Sequence, residues 1–94
     1  MDIVRSDIIT SIAGRDRGKR FFVLDVDGEF LLLADGKTRK VENPKRKKRK
    51  HVSFFRRLDC RVAEKIRSEE KVTNSDLRRT LAALGEEGNP DQEG

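Results

Sequence analysis

Apolar residues fall in short β-branched and aromatic runs over the first half of the chain and at helical spacing over the second. Ile3-Val4, Ile8-Ile9 and Ile12-Ala13 predict a first strand around residues 6–13. Gly14-Arg15-Asp16-Arg17-Gly18 reads as a turn, two glycines bracketing three charges, with Gly18 suited to a positive φ. Phe21, Phe22, Val23, Leu24 and Val26 predict a second strand from Arg20 to Val26. Asp27-Gly28 is the pair of a two-residue type I′ hairpin, and Glu29 to Ala34, nearly all apolar, makes a third strand. Asp35-Gly36 signals another hairpin, leading into a short cationic fourth strand over Lys37 to Val41. Such closely spaced turns belong to a small meander or barrel.

Pro44 is expected to interrupt the sheet and leave residues 44–50 as a loop outside it. His51 to Phe55 then returns as a closing strand with Val52 and Phe54 on one face. The period changes beyond that point. Leu58, Val62 and Ile66 recur at i, i+4 and i+8, one stripe of a helix. Thr73, Asn74 and Ser75 offer N-cap oxygens, and Thr73 with Asp76 is close to a capping box. Leu77, Leu81 and Leu84 form a second stripe, with Gly85 as its natural stop. The predicted organisation is a mainly β unit over residues 1–57, one or two helices over 58–85, and a disordered tail over 86–94 with four acids and no base.

Charge sharpens this picture. Lys37 to Arg57 holds eleven Lys and Arg against one acid, Glu42, an excess of ten within a chain whose net charge is +5. Six consecutive cations, Lys45–Lys50, repel one another, so the middle of the chain looks built to meet a polyanion. With 34% hydrophobic and 41% charged residues the core is modest, and the absence of tryptophan and tyrosine weighs against an aromatic-lined pocket. There is no charged-then-apolar leader and no apolar run of spanning length, so no membrane partner is expected. A single cysteine, Cys60, forms no intramolecular disulfide and fits a reducing, cytoplasmic setting.

The stretch Ser11-Ile12-Ala13-Gly14-Arg15-Asp16-Arg17-Gly18-Lys19, followed by Phe22-Val23-Leu24-Asp25-Val26-Asp27, resembles a KOW motif, a strand, a charged glycine-containing loop and a second strand. Gly18 falls where that family keeps its signature glycine. The chain is similar to an archaeal and eukaryotic large-subunit ribosomal family with KOW motifs. The shared features are the strand Phe30-Leu31-Leu32-Leu33, the following Gly36, the basic approach to His51-Val52, and a capped helix like Thr73–Leu84. The insertion Pro44–Lys50 is longer than in those relatives, and a bacterial ribosomal-protein-like RNA binder is a second parallel. The resemblance implies an SH3-like barrel, a ligand of structured RNA, and a ribosome or ribosomal precursor as partner.

Each candidate feature has a plainer reading beside the functional one. Arg15, Arg17, Lys19 and Arg20 lie beside Gly14 and Gly18, where backbone can approach phosphates; otherwise they are a solvated hairpin. The same segment mimics a phosphate-binding loop but is one residue short, has Arg20 where Ser or Thr should stand, and leads into a strand. Lys45, Arg46, Lys47, Lys48, Arg49 and Lys50 track phosphates, spell a nuclear import signal, or form a solvated loop. Lys37, Arg39, Lys40, Arg56 and Arg57 broaden the positive surface around them, and that breadth favours polyanion binding. His51 has no second His and Cys60 no second thiol at ligand spacing, so no metal or cofactor is expected, and His51 is assigned to RNA or the barrel edge. Asp27 and Asp35, in an acidic cluster with Asp25 and Glu29, are explained by their glycine neighbours, and no nucleophile–base pair suggests an enzyme. The expectation is an RNA-binding protein, monomeric off RNA. The alternative is an adaptor in a transcription or translation complex that binds protein through the barrel or the helices.

Overall fold

The computed structural model of the chain describes residues 2–87. Five strands come first: β1 (Ile8–Ser11), β2 (Arg20–Asp27), β3 (Phe30–Ala34), β4 (Lys45–Lys48) and β5 (Val52–Arg56). Two helices follow, α1 (Arg61–Arg67) and α2 (Asn74–Glu87). All strand pairs are antiparallel, and the order across the sheet is β4-β3-β2-β1-β5. The first four strands form a meander, and a 3₁₀ turn at Arg49–His51 carries the chain to the far edge, where β5 pairs with β1. The domain is therefore mainly β with a helical appendix, in a strand order that suits a small barrel.

Both faces of the sheet are covered, and the sequence shows why. Neighbouring residues in a strand point to opposite faces. Phe21, Phe22 and Val23 are consecutive and all fully buried, which requires apolar cover on each side. On the inner face Ile9, Phe21, Val23, Leu31, Leu33 and Val52 pack with Ile3 and Phe54. On the outer face Ile8, Phe22 and Ala34 meet Ile66, Leu77 and Leu84 from the helices, with Phe55, Leu58, Val62 and Leu81 around them. Both predicted stripes thus lie against the sheet, although Leu58 precedes α1 and only Val62 and Ile66 of the first stripe are helical; fully burying a leucine such as Leu77 contributes about 1.5–3 kcal/mol.

The capping box at the start of α2 is formed. The Thr73 amide donates to the Asp76 carboxylate at 3.1 Å, and the Asp76 amide to the Thr73 hydroxyl at 3.0 Å. Four expectations need correction. The basic run is not a loop outside the sheet, because Lys45–Lys48 pairs with β3 as an edge strand. Residues 37–41 are not a strand, because Asp35 takes their backbone for itself: its carboxylate accepts the amides of Lys37 (2.9 Å) and Arg39 (2.8 Å) and the Thr38 hydroxyl (2.8 Å). The first hairpin turns on Gly28-Glu29 rather than Asp27-Gly28, since Asp27 pairs with Phe30 and Gly28 takes φ +63° at the first central position. Gly85 does not end α2, which continues to Glu87, so Glu86 and Glu87 are helical; the rest of the predicted disordered tail, 88–94, lies outside the described residues.

Candidate nucleic-acid interface

Strand register brings two separate cationic loops together. Thr10 pairs with Arg20, Phe22 with Ala34, and Leu33 with Lys45. The β1–β2 loop (12–19) and the β3–β4 loop (35–44) therefore leave the sheet at the same end. The first presents Arg15, Arg17 and Lys19, all exposed, and the second presents exposed Lys37 and Lys40 with half-buried Arg39. The acids Asp25, Asp27 and Glu29 collect at the opposite end of the β2–β3 hairpin.

Backbone hydrogen bonds hold the first loop in shape. The Gly18 amide donates to the Ser11 carbonyl (2.8 Å), Arg17 to Gly14 (3.3 Å) and Lys19 to Asp16 (2.8 Å), while the Ser11 amide donates to Lys19 (2.9 Å). Gly14 and Gly18 take φ of +77° and +89°, which lets the loop close within so few residues. Asp16 turns inward and pairs with Lys45; that bonded ammonium holds its carboxyl below the usual carboxylate range although burial pushes the other way. Its neighbours Arg15 and Arg17 are left pointing to solvent.

The second loop is held by Asp35 and by α2. Burial raises the Asp35 carboxyl, but the amides of Arg39 and Lys37 and the Thr38 hydroxyl together lower it below its ordinary value. The Asn74 side chain accepts from the Val41 amide (2.8 Å) and donates to Glu42 (3.0 Å), and Arg78 donates to the Gly36 carbonyl (2.7 Å). Gly36, at φ +78°, packs so closely that an added Cβ would lie 2.2 Å from the Asn74 carbonyl oxygen. These contacts with α2 had no signature in the sequence, because nothing in a linear pattern links residue 36 to residues 74 and 78.

The Lys45–Lys50 run behaves differently. Lys45 and Lys47 lie opposite Leu33 and Leu31 and so share the inner face. The Lys47 side chain is buried, its ammonium donating to the Ser11 hydroxyl (2.7 Å) and the Ala13 carbonyl (2.9 Å). Burial pulls that ammonium below its ordinary value, with Lys45 acting in the same sense and Asp16 against it. Arg46 and Lys48 face outward over Phe30, at 4.0 and 6.0 Å from the ring centroid, and Arg46 also approaches Asp27 at 3.6 Å. Arg49 reaches Asp2 at 3.8 Å, Lys50 is exposed and His51 half-buried in the 3₁₀ turn, where its carbonyl accepts from Ile12. The run is thus dispersed over two faces and a turn.

Other predicted residues have structural partners. Arg20 lies over Phe55 at 3.9 Å, and Arg56 flanks the same ring at 5.2 Å. Arg57 forks onto fully buried Asp7 at 2.8 and 3.0 Å. Asp25 of the acidic cluster is paired with Arg5, a residue the sequence does not single out, and Cys60 sits half-buried at the start of α1. Among the described residues no group of three or more His, Cys, Asp and Glu side chains is placed to hold a metal ion, and no helix is long and apolar enough to cross a membrane. No protein-family model matches the chain, and no curated protein sequence matches it.

Proposed function

We propose that the protein binds structured RNA through the sheet end that carries Arg15, Arg17, Lys19, Lys37 and Lys40. The observation behind this reading is convergence: two loops distant in sequence carry exposed cations at the same end of the sheet, on backbone held by hydrogen bonds of its own. Ordered loops lower the entropy cost of binding. The contacts go chiefly to phosphate, so recognition follows the shape of the RNA more than its sequence. The likeness of residues 11–27 to a KOW motif makes ribosomal RNA, in a cytoplasmic ribosome or its precursor, the leading ligand. The adaptor alternative is weakened where it relied on the leucine stripe, since Leu77 and Leu84 are buried against the sheet.

The test is a binding titration against a ribosomal RNA fragment across a salt series. About five phosphate contacts, one for each of these cations, predict a slope of log K against log salt near −3.5, taking the single-strand coefficient. Binding that is absent, or indifferent to salt, overturns the proposal. Sedimentation of a lysate then locates the partner: association with the large subunit that a high-salt wash removes marks an accessory factor.

A further inference from the structure

Beside the cationic end, a groove of about 380 Å³ runs between the sheet and α2, lined by Arg20, Asp35, Lys37, Arg78, Leu81 and Ala82. Its volume lies in the range of sites that take one small ligand. Leu81 and Ala82 give it an apolar wall. Arg20 is held against Phe55 and enters the lining as a planar cation already fixed in place. Arg78 is anchored by one nitrogen to the Gly36 carbonyl, and Lys37 stands exposed at the rim. The one acid, Asp35, has its charge met by two amides and a hydroxyl of its own loop. An apolar wall, a fixed guanidinium plane and two further cations match the parts of a nucleotide: a flat base with a phosphate beside it.

We infer that this groove receives a single unpaired nucleotide of the bound RNA, so that the protein prefers a bulged or looped RNA to a continuous stem. The inference rests on the RNA-binding reading above. The base lies on the Leu81–Ala82 wall and stacks on the Arg20 guanidinium, a mode that unstacked RNA bases commonly adopt on arginine planes. Lys37 and Arg78 neutralise the adjoining phosphate.

Two RNA hairpins test it, identical except that one carries a single-nucleotide bulge of 2-aminopurine. Wild-type protein should bind the bulged hairpin roughly tenfold more tightly, as stacking of one base allows, and raise its fluorescence as the base leaves its quenching neighbours in the RNA stack. Ala82→Gln, a neutral change at an exposed position of α2, should erase the preference and leave affinity for the continuous stem within about twofold. Arg20→Lys keeps the charge, loses the plane and should abolish the fluorescence rise. Equal wild-type affinity for the two hairpins, or a preference that survives Ala82→Gln, overturns the groove while the RNA reading stands. If neither hairpin binds, both readings fall together.

Discussion

Along β4 the cations have partners within the molecule: Lys45 holds Asp16, Arg46 covers Phe30 and nears Asp27, and Lys47 is bolted to Ser11 and Ala13. Along the 12–19 loop, Arg15 and Arg17 have exposed side chains, while the backbone that carries them is tightly bonded. The residue types are the same and the uses are opposite. A pleated strand sends alternate side chains to opposite faces, so an unbroken run of lysine and arginine is split on folding. A loop pinned by its backbone sends its side chains outward. Density of charge along a chain is therefore a poor guide to charge available for a ligand. The β4 cations have a second use, since lysines on an edge strand discourage pairing with another sheet.

The sharpest break of this contrast is Gly36→Ala. The new methyl would meet the Asn74 carbonyl oxygen at 2.2 Å on backbone at φ +78°, and should cost about 2–4 kcal/mol of stability in a urea titration. RNA affinity should fall with it as the loop bearing Lys37 and Lys40 loses its mooring. Gly28→Ala is the control: φ is +63° but nothing lies within 4 Å, so a loss of about 1 kcal/mol with unchanged RNA affinity is expected. Equal effects from the two changes would mean that α2 does not hold the loop.

Next in size is the combined change Arg15→Ala, Arg17→Ala and Lys19→Ala. Losing three phosphate contacts should weaken RNA binding roughly a hundredfold at about 0.1 M salt and make the salt slope shallower by about 2. The thermal midpoint should move little, because among the described residues these side chains form no hydrogen bond or ion pair, and Lys19 acts on Asp16 only through space. A larger affinity loss from replacing Arg46 and Lys48 would return the interface to the basic strand.

The smallest effect is expected at Lys47. Lys47→Met removes a buried charge, and the Ser11 hydroxyl keeps its bond to the Ala13 carbonyl at 3.1 Å. Stability should change by no more than about 1 kcal/mol, in either direction, and RNA affinity by less than about twofold. A tenfold loss of affinity would place this ammonium in the interface after all.

Much of the scaffold was legible in the sequence. The apolar runs of β2 and β3, the Thr73–Asp76 cap, the α2 stripe and the Val62–Ile66 part of the first stripe rest on local chemistry that tertiary context reinforced. The misreadings share a cause, which is competition that only folding resolves. Asp35 captured the amides of a segment whose composition suited a strand. In β4 the period-two signal was invisible, because inward and outward positions are all cations and only pairing with Leu31 and Leu33 tells them apart. Gly85 carries a stop signal, yet α2 runs past it to Glu87. Of the site, the loop cations were legible. Their shared end depends on strand register, and the groove beside them on a helix some forty residues further along, neither of which a linear pattern encodes.

The two-sided sheet has a consequence for how the protein is made. A ribosome delivers the strands in order and finishes β5 at Arg56, when the inner core can already close. Ile8, Phe22 and Ala34 on the outer face must wait until Leu77 and Leu84 have been synthesised. Until the helices dock, the sheet carries an uncovered apolar flank, the kind of transiently exposed surface that favours aggregation. The helices act as a late-arriving lid, and shortening the chain before Leu77 would leave that flank permanently uncovered.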